Sequence, residues 1–355
     1  MLKQEESTYF RADKIYRLTA LWALSEAFLG GILHAFRIPF TGLVVGNVAV
    51  IIIILIASFS SSHGIIMRAC LITIIIKALV SPHTPFTAHL AVLIQSLLGE
   101  IIFWNRGYKY ISSVLLGIIT AIFSSLQKVI FLTIVFGNNL WNSIDQFFIF
   151  VIKEVFGQKD YTGNISISYW IIFLYIGIHL IVGFLTGIYG ARLEFRIKNK
   201  ITKPGFDDED LHKIISNVNN DSGKNEKSKR KGFRLKLSKI LFTFSIILLI
   251  LSYIYKGEGY FNPDSVLFMI GRSVLIMIIW IKFITPSISK LFRKKLIKDN
   301  KYTRDVESII KILPSLRAIV KYSWMKTKEL SGLRRLSDFI VLTISILLTY
   351  EIGEN

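Results

Sequence analysis

The sequence predicts an all-α fold, a polytopic bundle of membrane helices. Of its 355 residues, 52% are hydrophobic, and the mean hydropathy is +0.52. Soluble domains seldom combine this apolar content with such long apolar runs. The runs "LVVGNVAVIIIILIASF" and "LFTFSIILLILSYIY" are long enough for membrane helices, since a hydrocarbon core of about 30 Å needs roughly 20 residues. A β-barrel would instead show short alternating segments.

Apolar windows place the individual helices. They predict segments at residues 19–36, 41–58, 64–80, 86–104, 109–136, 168–191, 237–256, 265–285 and 338–350. The last is short for a full span and could be interfacial or re-entrant. The fold class is therefore a six-helix N-terminal bundle, followed by two or three further membrane helices and basic cytoplasmic helices.

The basic residues predict the orientation. If the segments alternate from a cytoplasmic N-terminus, 35 of the 43 Lys and Arg residues fall on the cytoplasmic side and 4 in outer loops. This is the bias of the positive-inside rule. The net charge of +19 therefore indicates topology and contact with anionic lipid, not nucleic acid. We expect the cytoplasmic membrane of a bacterium, with a cytoplasmic N-terminus.

Composition divides the chain into three domains. Residues 1–191 form the six-helix membrane domain, residues 192–236 a charged cytoplasmic linker, and residues 237–355 a C-terminal membrane and cytoplasmic domain. In the last domain, residues 286–337 are predicted to form basic amphipathic helices, which Pro314 interrupts or starts. Such helices lie on lipid or dock to a soluble partner, and the sequence leaves both open.

The chain carries few signals of catalysis. Cys70 is the single cysteine and is expected to be a buried, inert thiol, and the polar first 18 residues predict no cleavable signal peptide. No P-loop, kinase, nucleophile-elbow or dinucleotide motif occurs, and no metal-ligand spacing or cofactor motif either. We therefore expect no enzyme, no cofactor and no metal, and any energy for transport would come from a partner or an ion gradient.

Polar side chains within the predicted spans are the candidate solute-binding residues. Ionisable groups at membrane depth are costly and mark functional sites. Most lie in the outer half of the spans: His34, Lys77, His83, His89, Lys128 and Tyr175. Few carboxylates are expected beside them, so the set predicts an outer-facing cavity for an anionic solute.

The same side chains are compatible with two alternatives. The two lysines could snorkel to headgroups while backbone carbonyls satisfy the histidines, or four histidines could form a metal site. Glu100 lies at the opposite, cytoplasmic end of its helix, where we expect an ion pair with Arg68, Arg106 or Lys109. His89 and Glu100 are about 16 Å apart along that helix and cannot share one small site.

A stripe of small residues follows one face of the first predicted span. Ala23, Ala27 and Gly30 lie on it, so another helix can approach closely. The partner is either a helix of the same bundle or a separate membrane subunit.

The six-helix block resembles the substrate-binding S component of energy-coupling-factor transporters. The resemblance lies in six hydrophobic helices within about 190 residues and in "ALSEA" at Ala23–Ala27, which matches the AxxxA docking pattern of that family. It implies a vitamin-sized solute near the outer face, a transmembrane partner subunit and a pair of ATPases. The C-terminal block is similar, more loosely, to the T component, with Arg317 and Arg334 as candidate coupling arginines.

Three functions follow as hypotheses. The first is a transport protein that binds a small, anionic or vitamin-like solute and is powered by a separate partner. The second is a membrane scaffold that recruits a cytoplasmic protein through residues 286–337. The third is a lipid-modifying enzyme with His83 or His89 as base, which would need a carboxylate nearby.

Overall fold

The structure of the chain is a computed structural model. It describes residues 2–30, 41–60, 62–81, 84, 86–157, 166–201 and 300–349, together with short pieces between 271 and 287. The described residues are helical or lie in turns, and no strand occurs among them. The predicted all-α fold is confirmed for the described residues.

The helices are numbered here in chain order. Helix α1 spans Leu2–Leu24 and continues as a π-helical turn over Ser25–Leu29. The helices that follow are α2 (Thr41–Phe59), α3 (Ile65–Val80), α4 (Phe86–Ile102), α5 (Lys109–Phe136), α6 (Asn139–Glu154), α7 (Ile167–Ile201), α8 (Asn300–Lys326) and α9 (Gly332–Thr349).

The apolar windows predicted α2 to α5 to within two residues, whereas α1 begins at residue 2 and not at the predicted residue 19. Helix α7 is longer than predicted, because it continues past residue 191 into the predicted linker. Helix α9 begins six residues before the predicted 338. The predicted segment 237–256 lies outside the described residues, and 265–285 is described only in part.

The chain forms two compact units. Unit 1 comprises residues 1–120, 183–229 and 292–355, and unit 2 comprises residues 121–182 and 230–291. The unit boundaries differ from the predicted divisions at 191 and 237. Helices α8 and α9, predicted as part of a separate C-terminal domain, belong to the same unit as α1 to α4.

The apolar face of α8 is buried in unit 1. Val306, Ile309 and Ile319 pack in one cluster with Ala20 and Ala23 of α1 and with isoleucines of α3. The sequence left this face open to lipid or to a soluble partner, but its own chain covers it. Leucines and isoleucines at helical spacing indicate a buried face without identifying what buries it.

Polar contacts hold α8 and α9 in place. Arg68 of α3 pairs with Asp305 of α8 at 2.6 Å, and the Tyr16 hydroxyl donates to the same carboxylate at 2.6 Å. Arg17 donates to the carbonyl of Leu347 at 2.9 Å, in the last turn of α9, where helix carbonyls lack intrahelical partners.

Pro314 lies inside α8 and does not end it. The expected interruption or helix start at this residue is therefore wrong. Proline removes one backbone hydrogen bond and crowds the preceding turn. Leu313 and Leu316, on either side of it, are buried in the unit 1 core and hold the helix together across this defect.

Helices α5 and α7 meet at glycines within unit 1. A Cβ on Gly117 would lie 2.2 Å from the carbonyl oxygen of Gly183, and one on Gly187 would lie 2.7 Å from that of Ser113. Only glycine permits backbones to approach this closely. The two helices therefore pack closely against each other at these glycines.

Unit 2 contains the amphipathic helix α6, in the connection between the predicted segments 109–136 and 168–191. Asp145 of α6 accepts hydrogen bonds from the amide of Ser168 at 2.7 Å and from the hydroxyl of Ser166 at 2.6 Å. It caps the N-terminus of α7, where helix amides lack partners. The Trp141 indole donates to Thr133 of α5 at 2.9 Å, so α6 is tied to both neighbouring helices.

Three described helices are long and apolar enough to cross a membrane: Thr41–Phe59, Lys109–Phe136 and Ile167–Ile197. Large exposed apolar side chains are most numerous on the second and third of these helices. On α5 these are Ile111, Leu115, Ile119, Leu126, Ile130 and Ile134, which recur every four to seven residues.

Candidate functional site

A buried ion pair lies in the core of unit 1. The Lys77 ammonium of α3 donates to the Glu26 carboxylate of the π turn at 2.6 Å, and the two side chains are 6% and 3% exposed. Buried charges are costly unless paired, so each residue depends on the other. The expectation that Lys77 has no matched carboxylate is therefore wrong.

The π turn shapes the end of α1 that carries Glu26. The amide of Gly30 donates to the Ser25 carbonyl, and the Ser25 hydroxyl donates to the Trp22 carbonyl at 2.8 Å. A π turn widens the helix by a residue and is frequent at functional sites.

Helices α1 and α3 run in the same direction, and this sets a shared register. Tyr16 contacts Arg68 at one level, and Glu26 contacts Lys77 at another. These levels are about 14 Å apart along the helix axes, at 1.5 Å per residue.

Between these levels lie two unsatisfied polar atoms. Trp22 is one turn before Glu26 on α1, and Thr73 is one turn before Lys77 on α3. Both residues are buried, and neither the Trp22 Nε1 nor the Thr73 Oγ1 has a hydrogen-bond partner among the described residues. Buried polar groups in native proteins nearly always have a partner, so these two atoms are candidate donors to a further polar molecule.

His89 of α4 lies at the same level. The Cys70 thiol of α3 lies 3.7 Å from the Val92 carbonyl, which fixes the register of the antiparallel α3–α4 pair. Thr73 and His89 are each about 4.5 Å beyond that contact, toward the turn between these helices. His89 is buried. We call Trp22, Glu26, Thr73, Lys77 and His89 the polar cluster.

The cluster joins two of the residues predicted from the sequence, Lys77 and His89. Tyr175 and Lys128 lie in unit 2. There the ring of Tyr175 is 4.2 Å from that of His179, whose Nδ1 is 2.9 Å from the Tyr175 carbonyl, and Lys128 is exposed. His34 and His83 lie outside the described residues. Their solute-binding roles stay predictions.

The small-residue stripe of α1 packs mainly within the chain. Ala23 is fully buried in the cluster that includes α8, and Gly30 lies 3.9 Å from Val45 of α2, measured from a Cβ built on the glycine. Ala27 is half-buried. For Ala23 the partner is thus a helix of the same bundle, one of the two possibilities that the sequence allowed.

The two predicted coupling arginines, Arg317 and Arg334, are exposed. The Arg317 guanidinium lies over the Phe28 ring of α1, 5.5 Å from its centre.

Glu100 does not form the expected ion pair with Arg68 or Lys109, and the side chain of Arg106, the third expected partner, is not described. The Glu100 carboxylate accepts hydrogen bonds from the backbone amides of Gly64 at 2.5 Å and Ile66 at 3.2 Å, and so caps the N-terminus of α3. The expected partner Arg68 pairs with Asp305 instead. A free helix N-terminus attracts a carboxylate as a basic side chain does.

Glu26, Trp22 and Thr73 were not predicted from the sequence. Glu26 stands inside a predicted span and within "ALSEA", between two alanines that themselves indicate only helix packing. An acidic residue in an apolar span is itself a signal of function. Trp22 and Thr73 carry no such signal, because their missing partners are visible only in the fold.

No group of three or more His, Cys, Asp or Glu residues in the described part of the chain could hold a metal ion. Comparisons of the chain with protein-family models, with curated proteins and with solved structures find no match.

Proposed function

We propose that the chain is a multi-pass membrane transport protein that binds a small anionic solute at the polar cluster. The observation that supports this is the coincidence of a buried ion pair with two unpartnered polar atoms one turn away. Ordinary packing gives no reason to bury so many polar groups in an isoleucine-rich core.

The donors of the cluster favour an anionic group. Lys77, Trp22 and Thr73 can all donate hydrogen bonds, whereas Glu26 only accepts them when ionised. A carboxylate or phosphate of the solute would replace Glu26 as the partner of Lys77. It would also accept hydrogen bonds from Trp22 and Thr73. The ion pair keeps Lys77 compensated when no solute is present.

The exposed surfaces favour a membrane location. The stripe along α5 and the exposed Phe173, Leu174 and Leu185 of α7 would be costly in water and are suited to lipid. Exposed aromatic residues lie near the helix ends, with Trp104 and Tyr108 before α5 and Trp170 at the start of α7. Aromatic side chains prefer the membrane interfaces.

A partner would supply the energy, since the chain contains no nucleotide-binding motif. The resemblance to S components implies a pair of ATPases and a transmembrane subunit. The face of α1 that it implicates in docking is occupied by α8, so this contact is intramolecular here and fits a C-terminal block with a coupling role. The exposed Arg317 would remain accessible to the partner.

The scaffold and enzyme hypotheses gain no support from the described residues. A scaffold that used the apolar side of residues 300–326 would have to release that side from the core. The basic side remains exposed and is the surface that a scaffold would use.

Mass spectrometry of small molecules that co-purify with the detergent-solubilised protein tests the proposal. The wild type is expected to retain one anionic compound, which Lys77→Met and His89→Ala lose. Lys153→Met, a basic residue of α6 in unit 2, is the matched control and should retain it. Lys128→Ala tests separately whether that residue takes part.

Each variant is first shown to be folded by gel filtration and thermal unfolding. Equal retention of the compound by the wild type, Lys77→Met and His89→Ala would overturn the assignment of the site.

A further inference from the structure

The turn between α8 and α9 has an exposed surface of unusual composition. Residues 324–336, here called the α8–α9 tip, expose Met325 by 59% and Leu333 by 86%. Trp324 and Leu336 are also largely exposed. Four large exposed apolar side chains so close together would be unfavourable in water.

Basic residues alternate with these apolar ones. The tip contains Lys326, Lys328, Arg334 and Arg335, with Glu329 as its only acidic residue. Basic and apolar side chains interleaved in this way are typical of surfaces that bind anionic membranes.

The tip is an ordered structure and presents its side chains in fixed positions. The amides of Thr327 and Leu330 donate to the carbonyls of Ser323 and Thr327, at 3.2 Å each. The Arg335 guanidinium lies 4.0 Å from the centre of the Trp324 ring, which also contacts the Phe339 ring at 5.2 Å between centres.

The tip lies beside the C-terminal end of α7. Immediately after it, Ser337 and Asp338 of α9 contact Arg196 near the end of α7. The same end contains the Lys109–Glu194 pair and the exposed Trp104 and Tyr108. This is the end that the distribution of basic residues assigns to the cytoplasm, where membrane leaflets carry anionic lipid.

We infer that the α8–α9 tip binds the anionic lipid headgroups of the inner leaflet. Leu333 and Met325 enter the interface, and Lys326, Lys328 and Arg334 contact the phosphates. Arg334 is thereby assigned to lipid and not to a coupling partner. The inference rests on the membrane location in the proposed function, but not on the solute site.

An environment-sensitive fluorophore on Leu333→Cys, in a Cys70→Ala background, tests the inference. The full chain is reconstituted in nanodiscs of phosphatidylcholine with or without phosphatidylglycerol. We expect a blue-shifted emission with phosphatidylglycerol, lost in high salt because exposed charges are screened. Lys328→Gln/Arg334→Gln should abolish the shift, and Lys153→Gln/Lys311→Gln, with the same change in charge, should not.

The same fluorophore on Ile130→Cys, in the exposed stripe of α5, reports the membrane location. Emission typical of hydrocarbon at Ile130 with no lipid-dependent shift at Leu333 overturns the inference alone, as expected if the tip binds a soluble protein. Emission typical of water at both positions overturns the membrane location as well. An equal blue shift in both kinds of nanodisc shows contact without charge recognition and also overturns the inference.

Discussion

Lys77 and Glu26 form a buried ion pair of 2.6 Å between α3 and the π turn of α1. Such a pair contributes little net stability, because desolvation of both charges offsets their attraction. Loss of one member is costly, since the other charge is left buried and alone. Net stability alone therefore does not account for the pair, and the neighbouring unpartnered Trp22 and Thr73 support the proposed solute site.

Single and double substitutions separate the net stability of the ion pair from the cost of leaving one charge buried alone. Lys77→Met should reduce the free energy of unfolding by ~3–5 kcal/mol, because Glu26 loses its partner. Glu26→Met/Lys77→Met should recover most of that loss, because methionines can fill the space without charge. Chemical denaturation in detergent measures both. A double variant as unstable as the single one would show that the pair is a structural requirement.

The sequence predicted α2 to α5 closely because apolar runs report burial or lipid contact directly. The α5–α7 contact was also predictable from the sequence, since Gly117 and Gly187 lie on small-residue faces. Contacts between residues that are far apart in the sequence could not be predicted. Glu100 had several basic neighbours in the sequence, yet it caps α3, and Arg68 reaches Asp305 more than two hundred residues away.

The position of α8 shows most clearly what the sequence cannot predict. Its pattern predicted an amphipathic helix, and Ile309 and Ile319 are indeed buried. What covers them depends on how α1 and α3 pair, which local periodicity does not encode. The polar cluster has the same origin, because it arises from the pairing of α3 with α1 on one side and with α4 on the other.

The glycine contact between α5 and α7 predicts a sharp difference between two alanine substitutions. Gly117→Ala places a methyl group 2.2 Å from a backbone oxygen and should cost about 1–3 kcal/mol as the helices move apart. Gly177→Ala on α7 has open space around it and should be neutral or slightly stabilising, since alanine favours helix. Thermal unfolding of the two variants in detergent compares them. Equal midpoints would contradict the close packing.

Asp145 predicts a pH dependence for the α6–α7 junction. Partial burial raises the pKa of its carboxyl group, but hydrogen bonds from Ser166, Ser168 and the Ile167 amide outweigh this and hold the pKa below its usual 3.8. A lowered pKa in the folded state stabilises the protein above that value, and this contribution is lost as the pH falls through the folded pKa.

Asp145→Asn should therefore be less stable than the wild type at neutral pH, and the difference should shrink below about pH 4. Thermal unfolding across this range measures it. Glu154→Gln, at the end of the same helix, serves as the control. A difference that is constant with pH would show that the carboxylate charge has no role in the cap.

The contact between α8 and the first helices predicts the effect of Asp305→Ala. The change removes the acceptor of both Arg68 and Tyr16 and should cost about 1–3 kcal/mol. Glu307→Ala, two residues away and exposed, should have little effect. Limited proteolysis within α8 should accelerate in the first variant only. Identical cleavage rates would contradict the anchoring role of Asp305.

The most direct test of the proposed solute site is the amount of co-purified compound in Glu26→Met/Lys77→Met. This variant removes both charges of the polar cluster while the core is expected to remain folded. Mass spectrometry should then find the anionic compound in the wild type and in Lys153→Met, but not in the double variant. Detection of that compound in equal amount in a folded double variant would contradict the account.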